Sequence, residues 1–335
     1  MTLDLPLIWA GLIAFAVLAY VILDGFDLGI GMLFPLFKDE KDRDVMMNSV
    51  APVWDGNETW LVLGGGGLLA AFPLAYAVIL PALYAPLIAM LLGLIFRGVA
   101  FEFRWRTARW KPVWDWSFTL GSFIATLMQG IALGGLIQGI KVADRAYAGG
   151  WWDWLTPFSL LTGLSLVIGY TLLGACWLII KTEGPLQDRC YLLARRLSVL
   201  LMAMIGLVSL WTPFLDAQFL ARWFTWPNIA ITAPMPILVL AMSGILWRGL
   251  HDHRREKTPF IAALTLFVLS YIGLGISFWP LMVPPSITFY DAAAPDSSLG
   301  FLLVGAVILL PIILAYTAYA YWVFRGKVDR HAHYH

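Results

Sequence analysis

Four carboxylates and one amide fall in two short stretches of an otherwise apolar chain. Asp24 and Asp27 stand in LDGFDLG; Asp55, Asn57 and Glu58 stand in VWDGNETW, which runs directly into the apolar Leu61–Phe72. In water such residues need no explanation. Inside a membrane each carboxylate costs at least ~2.5 kcal/mol on insertion scales, and acids kept there usually mark ion or proton paths. The spacing favours a shared depth. Asp27 lies 11 residues before Lys38, where a polar loop begins, and Asp55 lies 11 after Asp44, where it ends. Two antiparallel helices leaving that loop carry both acids ~16 Å from it, near the middle of a ~30 Å hydrocarbon core. By the same count Asp24 is level with Glu58, each 14 residues from the loop. Acids three apart share a helix face, so the spacing predicts four carboxyls and Asn57 facing each other. A proton path is one reading; hydrogen bonds that lock the bundle are the other.

The elements that would position these residues follow from composition. Of 335 residues 60% are hydrophobic and 13% charged, with a mean hydropathy of +0.78, against about 25% charged residues in soluble domains. An all-α integral membrane protein is expected. Nine apolar segments reach the roughly 20 residues a span needs: 7–37, 46–72, 74–97, 115–140, 157–180, 197–216, 229–248, 259–282 and 299–324. They form one transmembrane domain over 1–335, read as two four-helix bundles (1–140, with the acidic hairpin, and 157–282) plus a peripheral ninth helix, 299–324. Of the 22 Lys and Arg, all but Lys141, Arg145 and Arg222 fall in connections after odd-numbered spans. The positive-inside rule then places the N-terminus outside and the C-terminus in the cytoplasm. Trp151, Trp152, Trp154, Trp223 and Trp226 crowd the outer side, where indoles anchor in the headgroup zone.

Several patterns carry no chemistry. Asn57-Glu58-Thr59 matches a glycosylation sequon but falls within a span. Gly64–Gly67 lacks the Lys-Ser/Thr of a phosphate loop; it and the Gly25/Gly29 pair read as small residues permitting close helix packing. The basic loops determine topology and do not bind nucleic acid. Cys176 and Cys190 form no metal-like spacing. His251 and His253 lie in a loop and His331, His333 and His335 in the tail, so no imidazole is expected within a span. Haem and intramembrane copper both rely on such ligands, so the chain is expected to hold no haem or redox metal of its own. Glu102 and Asp115 flank a basic loop holding Arg104 and Arg106, where a carboxylate could collect protons; taken alone they read as solvated loop residues.

The motifs resemble those of subunit II of the cytochrome bd-type quinol oxidases, including the cyanide-insensitive branch. The resemblance rests on LDGFDLGIG (Leu23–Gly31), PVWDGNETW (Pro52–Trp60), FRGVAFEFR (Phe96–Arg104), VWDWSF (Val113–Phe118), WPLMVPPS (Trp279–Ser286), Asp291-Ala292 and PIILAYTAY (Pro311–Tyr319). It covers essentially the whole chain, with 157–248 matching mainly in hydropathy. It implies a bacterial inner-membrane, multi-pass subunit, haem-free itself, paired with a nine-helix subunit I that carries two b-type haems and haem d. That partner oxidises quinol at the outer face and reduces oxygen to water. This chain would stabilise it and supply a proton route from the cytoplasm. A structural quinone, held in this subunit by some members, and a small accessory subunit belong to the same expectation. By motif position Asp27 and Asp55 match the channel acids, and Glu102, Arg106 and Asp115 the entrance. Some relatives are expected to have Asp and Lys at positions 102 and 106; Arg106 cannot release its proton, which argues against a relay role for it. A proton- or sodium-coupled secondary transporter using the same acids is the alternative reading, although such folds break helices at midplane in both halves and here the acids concentrate in the first hairpin.

Overall fold

The computed structural model describes residues 3–329; His331, His333 and His335 lie outside the described residues. Helix α1 (Leu5–Leu33) starts at Asp4, whose carboxylate accepts the Leu7 amide at 3.1 Å, and runs on through a 3-10 turn to Leu36. Asp39 caps the short α2 (Glu40–Asn48) in the same way. Then follow α3 (Trp54–Ala71), α4 (Pro73–Ala82), α5 (Tyr84–Arg106) and α6 (Lys111–Gln138). A hairpin of β1 (Val142–Ala143) and β2 (Ala146–Tyr147) leads to α7 (Pro157–Lys181) and α8 (Pro185–Trp211). Beyond them lie α9 (Ala217–Phe224), α10 (Ile229–Thr232), α11 (Pro234–His251) and α12 (Lys257–Phe278). A second hairpin, β3 (Leu281–Val283) with β4 (Ile287–Thr288), precedes α13 (Phe289–Ala292) and α14 (Asp296–Val323).

Among the described residues, eight helical stretches are long and apolar enough to cross a membrane. The ninth expected span, 46–72, is divided. Its first residues belong to α2, positions 49–53 turn, and α3 opens on Asp55, Asn57 and Glu58, which dilute its apolar length. The expected 74–97 segment is also two helices, interrupted at Leu83 between Pro81 and Pro86, each of which removes a backbone donor. The second of these does not stop at Arg97; it continues to Arg106. That difference decides the site below.

Helix α1 packs against α3, α6, α7 and α14, and glycine sets the closest approach. A Cβ at Gly29 would lie 1.8 Å from the Tyr170 carbonyl oxygen, and one at Gly174 only 2.5 Å from the Gly29 carbonyl carbon. Packing of small residues drives helix association where lipid is as apolar as leucine. The Gly64–Gly67 run behaves otherwise: Gly65 and Gly66 have nothing within 4 Å of an added Cβ, so they face off the bundle. The core is continuous from α1 through α7 to α12, joining Phe26, Phe118, Tyr170, Trp177 and Leu266. Helix α14 lies on the outside, its apolar side chains mostly exposed.

Candidate functional site

Arg97, on α5, is fully buried with three carboxyls around its guanidinium. Nη2 lies 3.0 Å from Asp24 Oδ1 and 3.7 Å from Asp27 Oδ2; Nη1 lies 3.4 Å from Glu58 Oε2. Asp24 and Asp27 are likewise 0% exposed, whereas the Glu58 side chain keeps 24% of its surface. Asn57 joins the two acidic motifs: its Nδ2 donates to Asp27 Oδ2 at 2.8 Å and to the Leu23 carbonyl at 3.3 Å. Its Oδ1 accepts the Tyr321 hydroxyl of α14 at 2.9 Å, which fixes the amide's orientation. Below the guanidinium, Trp54 stacks on Phe101 with ring centroids 4.6 Å apart, and both rings lie within 6 Å of the charge, a cation–π range.

Three carboxyls meet one guanidinium, which compensates one of them. A buried charge without a partner costs several kcal/mol even after relaxation.

A second cluster lies two turns along α5, toward the connections at residues 37–44 and 107–111. Arg104, 1% exposed, donates from Nε to Asp115 Oδ1 at 2.5 Å and from Nη1 to Asp44 Oδ1 at 2.6 Å. Arg43 Nη1 reaches Asp115 Oδ2 at 2.8 Å, and Lys111 bridges Asp44, at 3.3 Å, and Glu40. The ring closes over Phe34 and Trp105, which flank Arg104.

The structure gathers Asp24, Asp27, Asn57 and Glu58, as the acidic motifs predict, but it does not place Asp55 opposite Asp27. Asp55 is exposed on the outer side of α3, and Asn57 takes the position facing Asp27. The residue count assumed one helix from Asp44; the non-helical turn at 49–53 changes the rise and the rotation. Asp115 sits in the second cluster. Glu102 is exposed and meets only Arg106, at 3.4 Å, with 59% and 76% of the two side chains free.

Arg97 and Arg104 are the buried residues of the two clusters that hydropathy hides, because an apolar window ends at the first arginine. The signal was present. Val99, Ala100, Phe101, Phe103 and Trp105 keep the stretch apolar past Arg97, and acids at mid-membrane depth demand a counter-charge. Haem is a poor fit to this chain: the described histidines stand at the rim, His251 against Trp247 and His253 stacked on Tyr191, with none inside the bundle. A cavity of about 370 Å³ between Thr182, Leu186 and Val328 also lies at the rim.

Fold and site together define a multi-pass helical membrane protein with an ion-pair network in its interior. The chain belongs to the cytochrome bd terminal oxidase subunit II family, whose profile matches residues 5–324. It is 31% identical to the cytochrome bd-I ubiquinol oxidase subunit 2 of Escherichia coli (strain K12), over 97% of this chain and 96% of that one. It is 30% identical to the cytochrome bd ubiquinol oxidase subunit 2 of Bacillus subtilis (strain 168), over 96% of each. Its fold is similar to a chain of the bd oxidase from Geobacillus thermodenitrificans, with a TM-score of 0.76, 18% identity, and coverage of 96% of this chain and 99% of that one. The chain is therefore a subunit of a terminal oxidase, an oxidoreductase complex with haems, and a partner subunit is implied.

Proposed function

We propose that this chain is the haem-free subunit II of a bd-type quinol oxidase of the bacterial inner membrane. It stabilises the haem-bearing subunit and conducts protons into the membrane from the cytoplasmic side, where the basic connections lie. The complex would oxidise quinol and reduce oxygen to water, with protons released outside and consumed from inside. The observation that supports the proton role is the convergence of Asp24, Asp27 and Glu58 on the single buried Arg97.

The residues divide the work as follows. Glu102 collects protons at the surface of α5, and Asp115, with Asp44, forms the mouth around Arg104. Asp27 and Asp24 hold protons at depth, with Asn57 orienting Asp27. Glu58, partly open, passes them to Asp55 on the outer side of α3, where the partner subunit would receive them. Arg97 and Arg104 keep their own protons; their part is to hold the carboxyls in place and balance their charge.

The test is Asp27→Asn in the intact complex. It is isosteric and keeps an acceptor for Asn57. Quinol-dependent oxygen uptake should fall severalfold while the haem spectrum is retained. Wild-type uptake refutes the proton role, and loss of haem with uptake would assign Asp27 to assembly alone.

A further inference from the structure

The carboxyl cluster does not end at Asp24. Tyr20 stands one turn before it on α1, farther from the basic connections, and is 2% exposed. Residues four apart share a helix face, and the Tyr20 hydroxyl is placed to hydrogen-bond the Asp24 carboxyl. Tyr170, fully buried on α7, lays its ring over the bare Cα of Gly25: a Cβ there would meet Tyr170 Cε1 at 2.7 Å. The Tyr170 hydroxyl accepts Gln129 Nε2, from α6, at 3.0 Å. Tyr20, Tyr170 and Asp24 all lie within electrostatic reach of one another. Two buried atoms of this group, Asp27 Oδ1 and Gln129 Oε1, have no hydrogen-bond partner among the described residues.

Buried polar atoms are satisfied by protein or by water, and a buried water typically joins about three such groups. Asp27 Oδ1 of α1 and Gln129 Oε1 of α6 are the atoms such waters would satisfy. The alternative leaves buried polar atoms unsatisfied at the centre of a membrane bundle, an expensive arrangement.

Resting on the proton role proposed above, we infer that Tyr20, Tyr170 and Gln129 form, with bound water, a hydroxyl relay that extends the Asp24 site inward between α1, α6 and α7. Each hydroxyl or water releases its own proton as it receives another, so one O–H bond breaks for each that forms and no tyrosinate accumulates. The glutamine amide takes no proton. It positions Tyr170 by donating to the phenol oxygen, leaving the hydroxyl hydrogen free to point toward Asp24. The bare Gly25 admits the ring to that position.

Four variants of the intact complex test it: Asp24→Asn, Tyr20→Phe, Tyr170→Phe and Gln129→Leu. The readouts are quinol-dependent oxygen uptake, its solvent deuterium isotope effect and the haem spectrum. The expected result is severalfold slower uptake in all four, a larger isotope effect in the two phenylalanine variants, and an unchanged haem spectrum. If Asp24→Asn behaves as wild type, the parent reading fails and this one with it. If Asp24→Asn is slow while Tyr20→Phe and Tyr170→Phe keep wild-type rate and isotope effect, only the relay is overturned. Should a phenylalanine variant fail to assemble, Gln129→Leu decides alone: slowing with the haems intact supports the relay, and wild-type behaviour overturns it.

Discussion

Arg97 and Arg104 stand seven residues apart on one face of α5, and each is buried against acids that other helices bring to it. Seven residues is two turns, a rise of ~10.5 Å. Helix α5 thus carries two fixed positive charges in line, one at the rim and one at depth. Acids from α1 and α3 surround the deep one; Asp115 of α6 and Asp44 of α2 pair with the other.

Removing the deep charge should be costly. Arg97→Leu leaves three carboxyls without their cation, and breaking a buried ion pair from one side costs about 3–5 kcal/mol. Little assembled complex is expected, with a sharply lower thermal midpoint in detergent. Arg97→Lys keeps the charge but loses the fork that reaches Asp24 and Glu58 from separate nitrogens, so it should fall between. A thermal midpoint for Arg97→Leu equal to wild type would contradict the structural role given to the guanidinium.

Glu102 and Asp115 should separate cleanly, though both belong to the proposed entrance. The Glu102–Arg106 pair is exposed, and such pairs contribute about 0–1 kcal/mol. Glu102→Gln should leave the thermal midpoint unchanged and slow proton uptake only at low ionic strength, where surface charges act at long range. Asp115→Asn removes the charge that meets both Arg43 and Arg104. It should lower both the midpoint and the uptake at any salt. Stopped-flow measurement with a pH dye across a salt series checks both.

Two glycines give opposite expectations from one substitution. Gly29→Ala drives a methyl into the Tyr170 carbonyl oxygen, 1.8 Å away, and neither backbone can yield without parting α1 from α7. The cost should be at or above the ~1–3 kcal/mol typical of overpacking. Gly65→Ala meets nothing within 4 Å in this chain and should fold normally. Expression and size-exclusion profiles of the two variants provide the comparison.

How much of this was legible beforehand depended on which property was read. Residue type and spacing located the acids, the apolar segments and the pairing of α1 with α3, because a carboxylate in an apolar run is conspicuous and a loop fixes depth. Rotation about the helix axis was not legible. Asp55 and Glu58 are 60° apart on an ideal helix, so they straddle a face, and the turn at 49–53 decides which of them looks inward. That turn carries no glycine to announce it. Arg97 was hidden for a different reason: its burial depends on partners 39 to 73 residues away, and a local window counts it as the end of a span.

Tyr321 should prove more important than its place on a peripheral helix suggests. Its hydroxyl donates to the Asn57 oxygen at 2.9 Å, and Asn57 in turn donates to Asp27. Tyr321→Phe removes a hydrogen bond of about 1 kcal/mol and lets the Asn57 amide rotate. The expected outcome is a small loss of stability with a larger loss of oxygen uptake. Equal activity in Tyr321→Phe and wild type would show that Asn57 is held well enough by Leu23 and Asp27.

The position of Tyr321 depends on a strap at the end of α14, and that strap should be sensitive to acid. Lys327 Nζ donates to the Thr182 carbonyl at 2.8 Å and to Glu256 Oε2 at 2.7 Å, and Gln187 Nε2 donates to Glu256 Oε1 at 2.7 Å. The Val328 amide donates to the Lys181 carbonyl at 2.9 Å. Partial burial works against the Glu256 carboxylate, but the hydrogen bonds from Lys327 and Gln187, with the lysine's charge, outweigh it and hold the group below its ordinary value of 4.5. A depressed carboxyl contributes stability that is fully present above its unfolded value and is lost as pH falls through the folded one. The strap should therefore hold at neutral pH and release only below about pH 4.5. Glu256→Gln should loosen it at every pH. Hydrogen exchange of the 325–329 amides measures this directly: faster exchange at neutral pH in Glu256→Gln, with little further acid dependence, is expected. Exchange in that variant as slow as in the wild type would mean that Lys181, whose Nζ reaches the Gly326 carbonyl at 3.3 Å, fastens the end of α14 by itself.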